Sequence, residues 1–127
     1  MSEKTGAGST VLIVDDQPEI LVGTRLLLQE AGYSVLEARG GEEALAVIEQ
    51  SRPDAMFLDL RMPGMDGWDV LEALRQDSTI SDLPVIVFSA FADPAAVERS
   101  RQLGARAYVR KPFRATDLTR ALHKVLA

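Results

Sequence analysis

Three stretches of this chain, Val11–Val14, Ala55–Leu58 and Val85–Phe88, are apolar at every position. A strand with one wet face alternates apolar and polar residues, whereas an unbroken apolar run of this length reads as a strand buried on both faces. Parallel sheets covered by helices on either side are built from such strands. Two further runs, Ser34–Leu36 and Ala105–Val109, bring the set to five.

Stretches of helical period separate the runs. Ile20, Thr24, Leu27 and Leu28 share one face before Gly32, and Ala44, Leu45 and Ile48 do the same before Pro53. Val70, Leu71 and Leu74 form a third set, Val97, Ser100 and Leu103 a fourth before Gly104, and Leu118, Leu122 and Val125 a fifth. Glycine and proline at these places end helices. Five strand–helix units predict a doubly wound α/β sandwich with a five-stranded parallel sheet, five helices and right-handed crossovers. At 127 residues the chain is one domain. Residues 1–9 read as a flexible polar leader and residues 10–127 as the domain.

Composition removes whole classes of chemistry. Without cysteine there is no disulfide scaffold, thiolate zinc site, iron–sulfur site or cysteine nucleophile. The single histidine, His123, lies in the last helix and reads as a surface residue, which leaves no histidine metal site and no Ser-His-Asp triad. No apolar run approaches the ~20 residues of a membrane span, and the first ten residues lack the apolar middle of a signal peptide. A cytoplasmic protein with no membrane partner is the expectation.

In a parallel α/β sheet, ligands sit beyond the C-terminal ends of the strands. Strand 1 ends in Asp15 and Asp16, strand 3 in Asp59, strand 4 in Ser89 and strand 5 in Lys111 followed by Pro112. Strand 2 ends in Glu37 and Ala38. Three carboxylates at one rim repel, and repulsion is expected to hold at least one above its usual pKa unless a cation intervenes. An all-oxygen set favours a hard ion, magnesium before zinc. Lysine and serine suit phosphate oxygens. Together these groups describe phosphoryl transfer, with an aspartate able to act as nucleophile. Each residue also has a plain structural reading. Asp15 and Asp16 could cap the helix that opens at Pro18, Ser89 could be a turn residue, Lys111 a solvated lysine and Tyr108 simple packing. Asp54 and Asp66 read as structural, and Gly64 and Gly67 as turn residues around the rim.

Along Val11–Pro18, Phe57–Gly67, Val85–Ala90 and Tyr108–Phe113 the chain closely resembles the receiver domain of two-component response regulators, and the resemblance runs from about Thr10 to the end. It implies a flavodoxin-like, CheY-like sheet of order 2-1-3-4-5. It implies that Asp59 is the phosphoacceptor, attacking a phosphohistidine of a histidine kinase or histidine phosphotransfer protein. Asp16, Asp59 and the backbone carbonyl of Arg61 would bind Mg2+ directly, and Asp15 through a water. Ser89 and Lys111 would hold the phosphoryl group, Ser89 and Tyr108 would form the switch, and Lys111-Pro112 would be cis. Arg61 and Phe91 stand at the positions that tune the lifetime of the acyl phosphate. Gln17 replaces a frequent acid, and Ser89 a commoner threonine.

Such a chain is a signalling phosphoacceptor rather than a turnover enzyme, limited to Mg2+-dependent self-phosphorylation and autodephosphorylation. A single-domain response regulator is the expectation; a receiver excised from a hybrid histidine kinase or a longer response regulator has the same sequence features. A flavodoxin-like nucleotide binder would want a Gly/Ser/Thr-rich loop after strand 1, where this chain has two aspartates. An aspartate-nucleophile phosphohydrolase would want an acid at position 61, which is Arg. A pseudo-receiver that only binds a partner would not need the complete acid, serine and lysine set.

The net charge of −5 hides an asymmetry: residues 1–98 carry 6 basic and 18 acidic side chains, residues 99–127 carry 8 basic and one acidic. On strand 5, period 2 groups Arg106, Tyr108 and Arg110. On the last helix, Asp117, Arg120 and Lys124 share a stripe opposite Leu118, Leu122 and Val125. A basic face of helix 4, strand 5 and helix 5 is expected to meet an acidic downstream protein, or a second copy in a homodimer. Direct nucleic-acid binding is not expected, because the acidic body opposes it. The alternative is a solvated face that also blunts an edge strand.

Overall fold

The computed structural model describes residues 8–90 and 93–127. Its elements alternate strictly: β1 (Thr10–Val14), α1 (Pro18–Glu30), β2 (Ser34–Ala38), α2 (Gly41–Ser51), β3 (Ala55–Leu58), α3 (Gly67–Gln76), β4 (Val85–Ser89), α4 (Pro94–Gln102), β5 (Ala107–Arg110) and α5 (Ala115–Leu126). The strands pair in parallel in the order β2-β1-β3-β4-β5.

The unbroken apolar runs follow from burial on both faces. Val11, Ile13, Ala55, Phe57, Ile86, Phe88 and Val109 point to one side, where α1 contributes Leu21 and Leu28 and α5 contributes Leu118, Leu122 and Val125. Leu12, Val14, Met56, Leu58, Val85 and Val87 point to the other, against Ala44 and Ile48 of α2 and Val70, Leu71 and Leu74 of α3. Every residue of β3 and β4 is buried.

Local sequence sets the helix ends. Gly32 and Gly104 take positive φ of 99° and 107° in the turns after α1 and α4, a conformation that costs glycine little. Asp66 and Asp69 cap α3 reciprocally, each carboxylate accepting the other's backbone N–H. Asp54 accepts from the Thr10 N–H at 2.8 Å and ties the start of β3 to β1. Asp54 and Asp66 are therefore structural, as the sequence suggests, and His123 is exposed.

β2 ends at Ala38 as the sequence predicts, with Glu37 paired to Arg25 of α1 at 2.6 Å, while the start of β5 differs from the sequence reading. β5 starts at Ala107, because the Ala105 N–H closes back on the Ser100 carbonyl at the end of α4. Of the expected leader, residues 1–7 lie outside the described span. Ser9 is buried and its carbonyl accepts from the Ser34 N–H, so it already takes part in the β1–β2 edge. Among the described residues no helix is long and apolar enough to cross a membrane.

Candidate functional site

Register brings the rim residues together. Val14 lies opposite Leu58, so the next residues on β1 and β3, Asp15 and Asp59, emerge side by side. Backbone bonds past the ladder fix them: the Asp59 N–H donates to the Val14 carbonyl at 3.0 Å, Asp15 N–H to Ala38 at 3.1 Å and Lys111 N–H to Ser89 at 2.9 Å. The sheet thus aims four polar residues at one point with little freedom to scatter.

Asp15, Asp16 and Asp59 each offer a carboxylate oxygen within 4.8 Å of the others. Asp15 and Asp59 are buried and Asp16 is half-buried. Lys111 reaches across from the end of β5. Its ammonium donates to Asp15 at 2.5 Å and stands 3.7 Å from Asp59. It also lies 4.9 Å from the centre of the Phe88 ring, an attractive position for a cation. The Lys111-Pro112 peptide is cis. Asp16, Gln17, Asp59, Arg61, Ser89, Ala90 and Lys111 line an open pocket of about 450 Å³.

Burial pushes the Asp59 carboxyl up to about 6. Lys111 pulls it down, Asp15 and Asp16 push it up, and a hydrogen bond from the Arg61 backbone N–H pulls it down. The sequence reading traced a raised carboxylate to repulsion alone; here desolvation comes first and repulsion only adds to it. Nor does either aspartate that follows β1 cap α1. Asp15 accepts from the Gln17 N–H at 2.9 Å, Gln17 is the N-cap without a side-chain bond, and Pro18 opens the helix.

Ser89 is buried and shares a side-chain hydrogen bond with Tyr108, which opposes the upward push of burial on the tyrosine. The resemblance names these two residues together as the switch, but no spacing in the sequence signals the bond between them. Gly67 serves the site through space rather than through its torsions. A Cβ there would stand 2.3 Å from the Asp59 carbonyl oxygen and 2.7 Å from the Leu60 Cα. The bare backbone lets α3 start directly against the end of β3, with the Gly67 N–H on the Leu60 carbonyl at 3.1 Å. Gly64 takes φ +72° in the same loop. Glu37 is held by Arg25, away from the carboxylate cluster. Phe91 lies outside the described residues.

This set can do a definite kind of chemistry. Oxygen donors alone, gathered against one lysine, suit a hard divalent cation. A lysine and a hydroxyl beside a carboxylate suit an incoming phosphoryl group.

Comparison with known proteins agrees. The response regulator receiver domain profile matches residues 11–123. The chain is 40% identical over 116 residues to the probable transcriptional regulator ycf27 of Guillardia theta, covering 91% of this chain and 44% of that protein. It is 34% identical to sporulation initiation phosphotransferase F of Bacillus subtilis, covering 91% and 92%. The structure of chemotaxis protein CheY4 of Vibrio cholerae superposes with a TM-score of 0.88 at 33% identity, covering 94% and 100%. The chain spans about half the length of ycf27 and of the phosphate regulon regulator PhoB of Pseudomonas aeruginosa.

Proposed function

The chain belongs to the response regulator receiver domain family, the phosphoacceptor module of two-component systems, and on that premise we propose that Asp59 accepts the phosphoryl group from a phosphohistidine on a histidine kinase or histidine phosphotransfer protein. The observation that carries this is the placing of one buried carboxylate, Asp59, within 4.8 Å of two others and 3.7 Å from Lys111. No structural need explains three acids and a lysine at the end of a buried sheet.

The Asp59 carboxylate attacks phosphorus; an O–P bond forms, the P–N bond breaks, and its electron pair stays on the imidazole nitrogen. Lys111 and Ser89 donate hydrogen bonds to the phosphoryl oxygens. With its pKa near 6, Asp59 is mostly ionised at neutral pH and ready to attack. Asp16, Asp59 and the Arg61 carbonyl would hold Mg2+, with Asp15 acting through a water. Magnesium supplies positive charge that offsets the repulsion between the carboxylates and the incoming phosphoryl group. Water later hydrolyses the acyl phosphate, and Arg61, on the wall of the pocket, governs its access. The chain is a signalling phosphoacceptor with no other turnover.

Once phosphoryl oxygens compete for the Ser89 hydroxyl, Tyr108 loses its partner. Tyr108 lines a groove of about 440 Å³ with Arg110, Asp117, Arg120 and Lys124. Signal thus passes from Ser89 through Tyr108 to the basic face of α4, β5 and α5, which docks a downstream protein or a second copy. Residues 10–127 form the receiver domain.

The test is incubation with acetyl phosphate and Mg2+, read by mass. One phosphate should be added, labile to hydroxylamine, and Asp59→Asn should take up none. Equal uptake by Asp59→Asn would overturn the assignment.

A further inference from the structure

Buried side chains seat most of the helices. α1 buries Leu21, Thr24 and Leu28, α3 buries Val70, Leu71 and Leu74, and α5 buries Leu118, Leu122 and Val125. In α4 the one buried residue is Ser100, whose hydroxyl is turned to the Val97 carbonyl of its own helix at 2.8 Å. Two arginines crossing in opposite directions join α4 to α3 instead. Arg99 of α4 holds its guanidinium 4.2 Å from the centre of the Trp68 ring on α3. Arg75 of α3 donates to the Gln102 carbonyl at the end of α4 at 2.8 Å. Indole is the best aromatic partner for a cation, and the last carbonyls of a helix lack partners within it. Both arginines are exposed, so removing either guanidinium leaves the core side chains in place.

We propose that Arg99 and Trp68 form a latch that fixes α4 against α3, and that its release lets α4 shift as a unit within the basic face. β4 ends at Ser89 and α4 opens at Pro94, so the helix is the next element in sequence after the strand that carries the switch serine. Asp93, which caps α4 by accepting from the Ala95 N–H at 2.9 Å, also acts electrostatically on Tyr108. In this proposal a rearrangement at Ser89 and Tyr108 is felt at the start of α4 through the Asp93 carboxylate. A helix seated by few apolar contacts is the element that opens at low cost. The latch stands on these contacts alone; its release on phosphorylation rests on the phosphoacceptor reading above.

Trp68 is the sole tryptophan, so its emission reads the latch directly. Arg99→Ala should shift that emission. It should also speed amide hydrogen exchange in α4 roughly two- to fivefold, the strength of an exposed cation–π contact, while α5 exchanges as in the wild type. Arg101→Ala is the control, because Arg101 pairs with Glu98 of its own helix at 2.6 Å and should leave both readings unchanged. Arg75→Ala should speed α4 exchange without removing the cation from the indole. Mg2+ with beryllofluoride, a phosphoryl mimic, should move wild-type emission toward that of Arg99→Ala and move the variant far less. Emission and α4 exchange in Arg99→Ala equal to wild type would overturn the latch. Beryllofluoride bound, as judged by thermal stabilisation, with no change in wild-type emission or an equal change in both proteins would overturn its release. Phosphate uptake at Asp59, read separately by mass, keeps a failure of the phosphoacceptor reading distinct from either result.

Discussion

Asp59 is asked for two incompatible things. It must be a carboxylate to attack phosphorus, yet it sits where burial favours the neutral acid. The consequence is a measurable pH dependence of stability. The carboxyl titrates near 3.8 when exposed and at about 6 in the folded protein. Between those values the folded state holds the extra proton, so stability falls as pH rises through about 4 to 6 and stays at its lower level above. The loss is on the order of 2–3 kcal/mol at about 1.4 kcal/mol per pKa unit. Asp59→Asn removes the charge but keeps the shape. Thermal melts with chelator should show it more stable than wild type at pH 7, by an increment that shrinks toward pH 4. Adding Mg2+ should narrow the increment at pH 7, because a cation bound to the wild-type carboxylates stabilises the folded state. An increment independent of pH would mean that Asp59 is not the strained group.

The carboxylates owe their position to the elements behind them, and the tightest joint is that of β3 with α3. Gly67 has room for hydrogen only, since a Cβ would meet the Asp59 carbonyl at 2.3 Å. Gly67→Ala must push α3 away from the end of β3. An overpacked contact of this kind costs about 1–3 kcal/mol, and here the movement falls on the backbone that carries Asp59 and Arg61. The variant should melt lower and, where still folded, bind Mg2+ more weakly by calorimetry; unchanged Mg2+ affinity would show that the joint does not set the site. The acids at the strand ends are legible from the sequence because the apolar runs Val11–Val14 and Ala55–Leu58 break only at Asp15 and Asp59. Their charge balance was not legible. Lys111 and Asp15 meet across 96 positions of chain, and the lysine, lying over the Phe88 ring, stands nearer Asp15 at 2.5 Å than Asp59 at 3.7 Å. The Ser89–Tyr108 bond and the stacking of Arg99 on Trp68 belong to the same class. Both join side chains on separate elements whose angle and spacing no periodicity encodes. The start of β5 was misplaced for a related reason, because the backbone of Ala105 is used to close α4.

At the scale of the whole molecule the charges are sorted: an acidic body ends in the basic segment from Arg99 onward. Folding brings much of that segment to one surface. Arg110 of β5 and Arg120 and Lys124 of α5 line one groove with Tyr108, and Asp117 is the acid among them. A basic surface on an acidic protein carries a field whose direction matters. Under the proposed docking it would draw an acidic partner to α4, β5 and α5 and turn it away from the acidic remainder, favouring correct orientation on encounter more than tight final contact. Polyanions such as nucleic acid would meet repulsion from the body as soon as they extended past the groove. Binding of the downstream partner, or self-association of the beryllofluoride-loaded protein, should therefore weaken as salt rises, the Debye length shrinking to about 8 Å at physiological ionic strength. Arg110→Glu and Arg120→Glu should each lower affinity roughly three- to tenfold at low salt, mainly through slower association, and should flatten the salt dependence. Neither substitution touches the carboxylate pocket, so phosphate uptake at Asp59 should remain at the wild-type level. Surface plasmon resonance across a salt series measures both slopes. Undiminished affinity with an unchanged salt slope in the two reversals would assign the basic face to solvation and to the blunting of the β5 edge, and the output would then leave the domain by another surface.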